Sequence, residues 1–429
     1  MENNALIAIT IFIIAYSLIV SEKIHRTVVA LAGGVLMVIL GVVSQETAIH
    51  HIDFNTIGLL IGMMIIVNIT SETGLFRYLA IWSAKKVQGD PVKLLVILST
   101  ITAVCSALLD NVTTVLLTVP VTFSITKQLK VKPIPYIVAQ ILSSNIGGTA
   151  TLVGDPPNIM IGSAVKELTF MAFLNNLAPI SVIIYIVTIC ILVLIYRKEL
   201  VTTEELKAQI MMLDEKKQLQ NVKLLKKCLA VLTLTIGMFT MHQMLHLESA
   251  TVAIFGASLL LVMAYSKNEH ELEHVFRKIE WVAIFFFVGL FMLVSGLIET
   301  GVIALMAQKS IELTSGNLTA TAMLILWMSA IASAFVDNIP FVATMIPMIK
   351  EMSSLGISNL EPLWWSLALG ACLGGNGTLV GASANVVVAS MAAQEGYQLS
   401  FVKFMKLAFP LMLLSIAISS VYIYLRYLM

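Results

Sequence analysis

Charged side chains are scarce in this chain of 429 residues. Lysine and arginine number 26 and aspartate and glutamate 25, so 12% of the sequence is charged, about half of the ~25% usual in soluble domains. Hydrophobic residues make up 58%, and the mean hydropathy is +0.93. Soluble cores cannot bury so much apolar surface. The composition therefore excludes a soluble enzyme and a disordered regulator, and it predicts an all-α polytopic membrane protein in a lipid bilayer.

Cysteine pairs and blocks of basic residues are also lacking. The four cysteines, Cys105, Cys190, Cys228 and Cys372, lie far apart without a Cys-x-x-Cys spacing, which disfavours a zinc site, a redox pair and a disulfide framework. We expect them to be buried small apolar residues. The net charge is +1 and no Lys/Arg block forms an extended phosphate-binding face. No nucleic acid partner is therefore predicted.

The two halves of the sequence share one pattern at a constant offset in residue number. Matches of Gly, Pro and Asp at a single offset do not arise from shared hydrophobicity alone. The offset that relates Asp110 to Asp337 also relates Asn111 to Asn338, Pro120 to Pro347, and the glycine-rich stretch 147–158 to 374–385. We predict a duplicated membrane unit, with repeat 1 at 1–196, a cytoplasmic linker at 197–227 and repeat 2 at 228–429.

Basic residues predict the orientation, because they accumulate in short loops on the cytoplasmic side of a membrane. If the N-terminus lies outside and each half has five crossings plus one paired segment, 22 of the 26 basic residues face the cytoplasm. Five is an odd number, so the second repeat is inverted relative to the first, as is typical of secondary transporters. We expect a multi-pass protein of the plasma (inner) membrane with both termini extracytoplasmic.

The paired segments, about 92–126 and about 320–354, are predicted to be re-entrant helical hairpins. Charge placement fits a hairpin and two full spans equally well. We favour hairpins because the second arm is short, with 16 residues, or about 24 Å against a ~30 Å hydrocarbon core. An Asp-Asn tip is also easier to accommodate inside protein than in an exposed turn, and non-helical backbone at membrane depth is tolerated where it is buried.

Polar residues at the hairpin tips and in two glycine-rich stretches are the candidates for a binding site. A carboxylate at membrane depth, as in Asp110 and Asp337, indicates function by default, although helix capping is an alternative role. Glycines and a double proline predict that the helices at about 134–162 and about 362–390 break midway. Close helix packing through small residues is the alternative. Broken helix ends can bind a cation or an anionic group.

The acids at this depth lack an evident basic partner. On the predicted topology no Lys, Arg or His lies level with Asp110, Asp155 or Asp337. These acids should therefore bind protons or a cation such as Na+, which predicts coupling of transport to Na+ or H+. No cofactor and no other metal site is predicted.

The motifs that contain these residues resemble those of the ion-transporter superfamily. They lie at 109–114, 145–158, 335–340 and 371–385. The superfamily contains arsenite pumps, D-type sodium/proton antiporters, citrate-type permeases and the melanosomal P protein, and the chain looks most like the P protein branch over nearly its whole length. The resemblance implies a scaffold domain, a transport domain, elevator-type alternating access and a homodimer.

The resemblance also implies one binding site in each repeat. In repeat 1 the matching positions are Asp110, Asn111, Thr113, Gly148, Thr149, Thr151, Asp155 and Asn158. In repeat 2 they are Asp337, Asn338, Asn376, Gly377, Thr378, Ser383 and Asn385. Thr114, Gly154 and Gly381 of the same motifs complete the candidate set. Bound Na+ is expected at these residues.

A secondary active transporter of a small ion or weak-acid anion, coupled to Na+ or H+, is the leading functional prediction. The alternatives are an arsenite or antimonite efflux permease, a Na+/H+ antiporter and an anion channel, since inverted repeats with broken helices can also line pores. Two intramembrane aspartates are also found in aspartyl proteases. Here each of them precedes an asparagine and is duplicated with a glycine-rich partner, so the chain is predicted not to be an enzyme.

Overall fold

The structure, a computed structural model, describes residues 2–21, 23–241, 244–265 and 269–429. Within these ranges the chain is helical and forms no β-strand, so the all-α prediction is confirmed. A 3-10 turn at Glu215–Gln218 follows the eleventh helix, and a π-helical turn at Tyr424–Leu428 follows the last. The α-helices are α1 Glu2–Ser21, α2 Arg26–Ile39, α3 Gln45–His50, α4 Phe54–Glu72, α5 Leu75–Lys86, α6 Pro91–Leu108, α7 Asn111–Gln128, α8 Ile134–Thr149, α9 Pro156–Ala164, α10 Phe170–Tyr196, α11 Glu204–Met211, α12 Val222–Met241, α13 Ser249–Tyr265, α14 Glu269–Arg277, α15 Trp281–Glu299, α16 Val302–Thr314, α17 Leu318–Phe335, α18 Asn338–Ser354, α19 Glu361–Gly374, α20 Ser383–Gln394 and α21 Phe401–Ile423.

Many of these helices suit a lipid environment. Among the described residues, eight helices are long and apolar enough to cross a membrane, namely α1, α4, α6, α10, α12, α15, α17 and α21, the last together with the turn that follows it. Large apolar side chains such as Ile39, Val182, Phe285 and Val421 are exposed on the surface. Exposed apolar surface of this kind is stable in contact with lipid and unfavourable in water. The chain is an integral membrane protein, as predicted.

Corresponding helices begin at the same offset that relates the two halves of the sequence. The starts of α4, α5, α6, α7, α8 and α9 each precede those of α15, α16, α17, α18, α19 and α20 by the offset between Asp110 and Asp337. The local causes recur as well. Gly74 and Gly301 precede α5 and α16 with φ of 81° and 76°, a left-handed conformation that glycine adopts without steric cost.

One set of helices packs in mirrored pairs through close backbone approaches. Helix α2 packs on α15, and α13 packs on α4. A Cβ at Gly289 of α15 would lie 2.5 Å from the nitrogen of Leu31, and one at Gly62 of α4 would lie 2.6 Å from the carbonyl carbon of Ala253. Helix α13 therefore packs on α4 in the same way that α2 packs on α15. We call α1, α2, α4, α12, α13 and α15 the framework group.

The second set contains the paired segments and the glycine-rich stretches. Helix α6 packs on α8 and α17 on α19, while α7 packs on α20 and α18 on α9. The second arm of each paired segment thus contacts the helix that follows the glycine-rich stretch of the other half. We call α6 to α9 and α17 to α20 the hairpin group. Helices α5 and α16 lie between the two groups and contact the paired segments of their own halves.

The second arms are longer than the sequence pattern indicated. Helix α7 has 18 residues and α18 has 17, against the 16 predicted from the apolar run. Arms of this length come closer to spanning the ~30 Å hydrocarbon core, so their length favours re-entrant hairpins less strongly than the 16-residue run does.

The charged linker contacts α5. Lys85 donates hydrogen bonds to Glu215 at 2.6 Å and to the carbonyl of Leu213 at 2.9 Å, and the N–H of Gln220 donates to the carbonyl of Thr73 at 3.0 Å. The ammonium of Lys85 lowers the pKa of Glu215 below its ordinary value. The linker is therefore attached to the helix that adjoins the first paired segment.

The cysteine expectation is wrong for one residue. Cys228 and Cys372 are buried and Cys105 is half-buried, but Cys190 is exposed on α10. Helix α10 is long and apolar enough to cross a membrane, so its exposed surface, which includes Cys190, suits contact with lipid. A composition argument cannot tell that surface from a core, because both are apolar.

Candidate functional site

The two paired segments have matching tips. In each, an extended pair of residues joins the arms, and the aspartate caps the second arm. Asp110 accepts a hydrogen bond from the N–H of Thr113 at 2.8 Å, and Asp337 accepts one from the N–H of Ile339 at 3.1 Å. The capping role considered from sequence is therefore present at both tips. It occupies only Oδ1 of each carboxylate.

The two glycine-rich stretches interrupt their helices as predicted. Helix α8 ends at Thr149 and α9 begins at Pro156, and α19 ends at Gly374 and α20 begins at Ser383. Asparagine side chains satisfy the carbonyls that these breaks leave free. The amide of Asn158 donates to the carbonyls of Gly148, Thr149 and Thr151 at 3.4, 3.1 and 2.9 Å, and that of Asn385 donates to Gly375 and Thr378 at 2.7 and 2.9 Å.

Hydroxyl groups attach the first arm of each paired segment to the adjoining break. Ser106 donates to the carbonyl of Ser144 at 2.7 Å, and Ser333 donates to that of Ala371 at 2.6 Å. The hydroxyls of the candidates Thr151 and Thr378 donate to the carbonyls of Ala107 and Ala334. These two candidates stabilise the break through hydroxyls that are already hydrogen-bonded.

The glycines of the breaks are also required by close packing. A Cβ at Gly147 would lie 2.1 Å from the carbonyl oxygen of Ala103, and one at Gly374 would lie 2.5 Å from that of Ala330. The candidates Gly148, Gly154, Gly377 and Gly381 face similar restrictions, with the nearest atom at 2.5 to 2.8 Å from an added Cβ. Both interpretations of these stretches hold, since the small residues permit close packing and the helices break.

Three asparagines and one aspartate join the tips to the first break. The amide of Asn111 donates to Asn145 Oδ1 at 3.2 Å and to Asp155 Oδ1 at 3.3 Å. The amide of Asn338, at the other tip, donates to the same oxygen of Asp155 at 3.4 Å. All four side chains are buried. The tips of both paired segments therefore meet at the start of α9.

A further pair of hydrogen bonds joins the two breaks. The amide of Asn145 donates to Asn376 Oδ1 at 2.9 Å and to Asn385 Oδ1 at 3.0 Å. Asn145 lies in the motif at 145–158 but is not among the residues predicted to form the site. Its place in that polar motif is a signal for such a role. The matching position in the other half is Cys372, so the constant offset does not support it.

Asp155 has one carboxylate oxygen that accepts no hydrogen bond. The side chain is 1% exposed. Oδ1 accepts from one asparagine of each tip, whereas Oδ2 is buried and has no hydrogen-bond partner among the described residues. The thiol of Cys372 lies within interaction range of this carboxylate. A buried acceptor without a partner is unfavourable, so Asp155 is the strongest candidate for a cation or proton ligand.

The prediction that the acids have no basic partner is wrong for Asp337. The guanidinium of Arg26 forms an ion pair with Asp337 and donates to Ser383 Oγ at 2.8 Å, and Ser383 Oγ donates to Asp337 at 2.8 Å. Charge placement assigned Arg26 to a cytoplasmic loop, but it is the first residue of α2 and its side chain extends to the tip. Asp110 and Asp155 form no ion pair with a described Lys, Arg or His.

The acids divide the site into two unlike halves. We call the site residues from the first half of the chain, Asp110, Asn111 and Asp155, the first half-site, and those from the second half, Asp337, Asn338 and Ser383, the second half-site. Asp155 lies where the two meet, since it accepts a hydrogen bond from an asparagine of each tip. A cavity of about 290 Å³ opens beside the second half-site, and it is lined by His25, Arg26, Asp337, Ser383 and apolar side chains. Two further candidates lie at the first tip. Thr113 contributes its backbone N–H, which donates to Asp110. The hydroxyl of Thr114 is buried and has no hydrogen-bond partner among the described residues.

The fold and this site define a membrane transporter, which is confirmed by comparison with known proteins. The sequence profile of the citrate transporter family (CitMHS) matches residues 16–370, so the chain belongs to that family. The chain is a transporter and not an enzyme, and the resemblance to the ion-transporter superfamily is confirmed.

Relatives of known name agree with this assignment. An uncharacterized transporter of Mycobacterium tuberculosis is 42% identical over 429 residues, covering 99% of each chain. The human P protein is 34% identical over 505 residues, and the match spans 98% of this chain and 60% of the P protein. The crystal structure of the Alcanivorax borkumensis YdaH transporter has a TM-score of 0.61 at 13% identity and covers 98% of both chains. That similarity shows a shared fold.

Proposed function

We propose that this protein is a secondary active transporter that moves a small weak-acid anion across the plasma membrane, coupled to Na+ or H+. The observation that carries the proposal is the buried carboxylate of Asp155, which the tips of both paired segments contact and which keeps one oxygen without a partner among the described residues. A ligand bound there would contact the tips of both halves at once. Binding would thus influence the packing of the whole hairpin group.

The first half-site favours a monovalent cation or a proton. Asp110 and Asp155 are two carboxylates in an apolar surrounding, and neither has a basic partner among the described residues. Isolated buried charge is strongly unfavourable. Protonation or a bound Na+ removes part of that charge, and carboxylate, amide and backbone oxygens are the hard ligands that such cations prefer. This supports coupling to Na+ or H+.

The second half-site suits an anionic group better than the sequence suggested. Asp337 is neutralised by Arg26, so it does not repel an anion as a free carboxylate would. Helix α20 begins at Ser383 beside it, and the N-terminus of a helix carries a partial positive charge and free N–H groups. The description of the family as citrate transporters supports a carboxylate substrate. Citrate is therefore the first compound to test.

We further propose that the halves form inverted repeats, with re-entrant hairpins at about 92–126 and about 320–354 and with 197–227 as a cytoplasmic linker. The meeting of both tips at Asp155 supports this arrangement, because the turn between two complete spans would lie at the membrane surface. The framework group would be the scaffold domain, and the hairpin group would move as the transport domain in an elevator-type cycle. A homodimer and extracytoplasmic termini complete the proposal.

Na+/H+ antiport is the second candidate function. It is favoured by the absence of a basic partner for Asp110 and Asp155 among the described residues, since one such site can bind a proton and Na+ in competition. An antiporter would exchange these cations without any organic anion. Cation exchange in the absence of citrate therefore separates the two functions.

The test is a thermal-stability screen of the purified protein. Ligands that bind the folded state raise its apparent stability. We would add Na+, Li+ and K+ at several pH values, each with and without citrate, arsenite or chloride, to the wild type, to Asp155→Asn and to the control Asp214→Asn in the linker. Stabilisation by Na+ or by lower pH that is lost only in Asp155→Asn supports the proposal. Equal responses in all three proteins would refute the site.

A further inference from the structure

We propose that Arg26 is the built-in counter-ion of the second half-site and keeps a free cation away from Asp337 in this conformation. A single coupling cation, bound at the first half-site, would then suffice. The inference rests on the proposed function, in which the site binds a cation. It concerns how many cations are bound and where.

Arg26 is half-buried, and its guanidinium makes fixed contacts that a loop residue at the membrane surface would not make. Its guanidinium contacts Asp337 and Ser383 together and lies over the ring of Phe286, with 5.0 Å from Cζ to the ring centroid. The Arg26 side chain is 31% exposed and that of Asp337 is 9% exposed. A guanidinium held by a carboxylate, a hydroxyl and an aromatic face is fixed in position. It therefore occupies the space beside Asp337 that a cation would need.

The other half of the molecule has no equivalent base among its described residues. Helix α13 packs on α4 as α2 packs on α15, so α13 is the counterpart of α2. It begins at Ser249, which follows Glu248. Glu248 pairs with Lys166 at 2.7 Å, at an exposed position. No arginine or lysine starts this helix, so nothing equivalent to Arg26 extends from it towards Asp110. The duplicated aspartates thus differ in their partners.

A second difference compensates for the first. At the offset that relates Asp110 to Asp337, Asp155 of the first break corresponds to Ala382 of the second. The first half-site has an additional acid and no base among the described residues, whereas the second has a base and lacks the additional acid. Two carboxylates without a base require a bound cation or proton, and one carboxylate with an arginine does not. The two repeats have therefore specialised.

A neighbouring acid, Glu280, precedes α15 and interacts electrostatically with both Asp110 and Arg26. It therefore adds to neither half-site alone. At Asp337 the positive charge of Arg26 repels an incoming cation at short range. The first half-site is therefore the one that binds a free cation.

The experiment counts the cations that the full-length protein binds in lipid nanodiscs. Two probes are used, because either cation could be coupled: equilibrium binding of ²²Na+ at pH 8, and proton uptake on acidification without Na+. The key variant is Arg26→Gln, which removes the charge but keeps a donor for Ser383. In the wild type we expect about one bound ²²Na+, or about one titrating proton assignable to Asp110 and Asp155. In Arg26→Gln we expect the number of bound cations to double to about two.

Three further proteins make the result specific. Arg26→Lys keeps the charge and should bind one cation. The double variant Arg26→Gln with Asp337→Asn should return to one, because the new site requires the Asp337 carboxylate. Asp337→Asn alone should retain one. Thermal stability is measured for each protein, and retention of the first cation in Arg26→Gln shows that its site is folded.

The outcomes distinguish the inference from the proposed function. One cation in both the wild type and Arg26→Gln, or two in the wild type, would overturn the role of Arg26 while leaving cation coupling in place. A second cation that persists in the double variant would also overturn it, since the extra site would not be Asp337. No specific binding of either probe to the wild type would overturn the proposed function and the inference together.

Discussion

Replacement of Gly147 or Gly374 by alanine tests whether the two halves are built alike around the helix breaks. A Cβ at Gly147 would lie 2.1 Å from the carbonyl oxygen of Ala103, and one at Gly374 would lie 2.5 Å from that of Ala330. Ordinary contacts begin at 3.4 Å. The first arm of each paired segment must therefore move away by roughly 1 Å, because a backbone carbonyl cannot rotate out of the way.

The expected loss in the free energy of unfolding follows from this movement. Overpacking a close contact costs about 1–3 kcal/mol. The same movement stretches the hydrogen bond from Ser106 to Ser144, or that from Ser333 to Ala371, which stabilises by about 1 kcal/mol. We expect both variants to lose at least about 2 kcal/mol. Gly147→Ala should be the more destabilised, because its contact is shorter.

Unfolding in mixed micelles by titration with SDS measures these differences. The matched control is Gly237→Ala on α12, where nothing lies within 4 Å of the added Cβ. At an exposed helix position this change should stabilise by about 0.5–1 kcal/mol. A Gly147→Ala protein as stable as the control would refute the close approach. A large loss at one glycine and none at the other would refute the equivalence of the halves.

The remaining predictions concern the cap, the hydroxyls and the linker. Ser106→Ala and Ser333→Ala should each lose about 1 kcal/mol in the same SDS titration, and a loss confined to one of them would contradict the mirrored contacts. Asp110→Asn should abolish stabilisation by Na+ or by lower pH in a thermal-shift assay while the fold is retained, and an unchanged response would exclude Asp110 from the first half-site. Glu215→Gln should increase proteolysis of the linker. Lys85 lowers the pKa of Glu215 from its ordinary value of 4.5. The contact is therefore present in the wild type at neutral pH and should be lost as the pH falls below about that value. Identical digestion of both proteins at pH 7 would contradict this contact.

The sequence predicted the parts of the fold that depend on backbone chemistry. Pro156 and Pro157 are tolerated only in the first turn of a helix, and the glycines of 147–154 weaken a helix interior. The structure accordingly ends α8 at Thr149 and begins α9 at Pro156. The constant offset between the halves recurs in the helix starts, and at two of them the preceding residue recurs as well, as Gly74 and Gly301 and as Asp110 and Asp337. Such signals are local, so they can be read without knowledge of the packing.

The parts that the sequence did not predict depend on side-chain direction. Arg26 follows an apolar run and precedes another, so its charge indicated a loop at the membrane surface. Only the packing of α2 on α15 shows that the side chain extends to Asp337. The hydroxyls of Thr151 and Thr378 likewise donate to carbonyls of the adjacent arms. No periodicity indicates where such short contacts will form.

Binding of a coupling cation at Asp155 is the central claim, and charge movement on a solid-supported membrane tests it most directly. Proteoliposomes are exposed to a jump in Na+ or in pH, and the transient current reports cation binding without any knowledge of the substrate. The account predicts a saturable current for one of these cations in the wild type and in Asp214→Asn, and none in Asp155→Asn. A current of wild-type size in Asp155→Asn, or no current with either cation in the wild type, would contradict it.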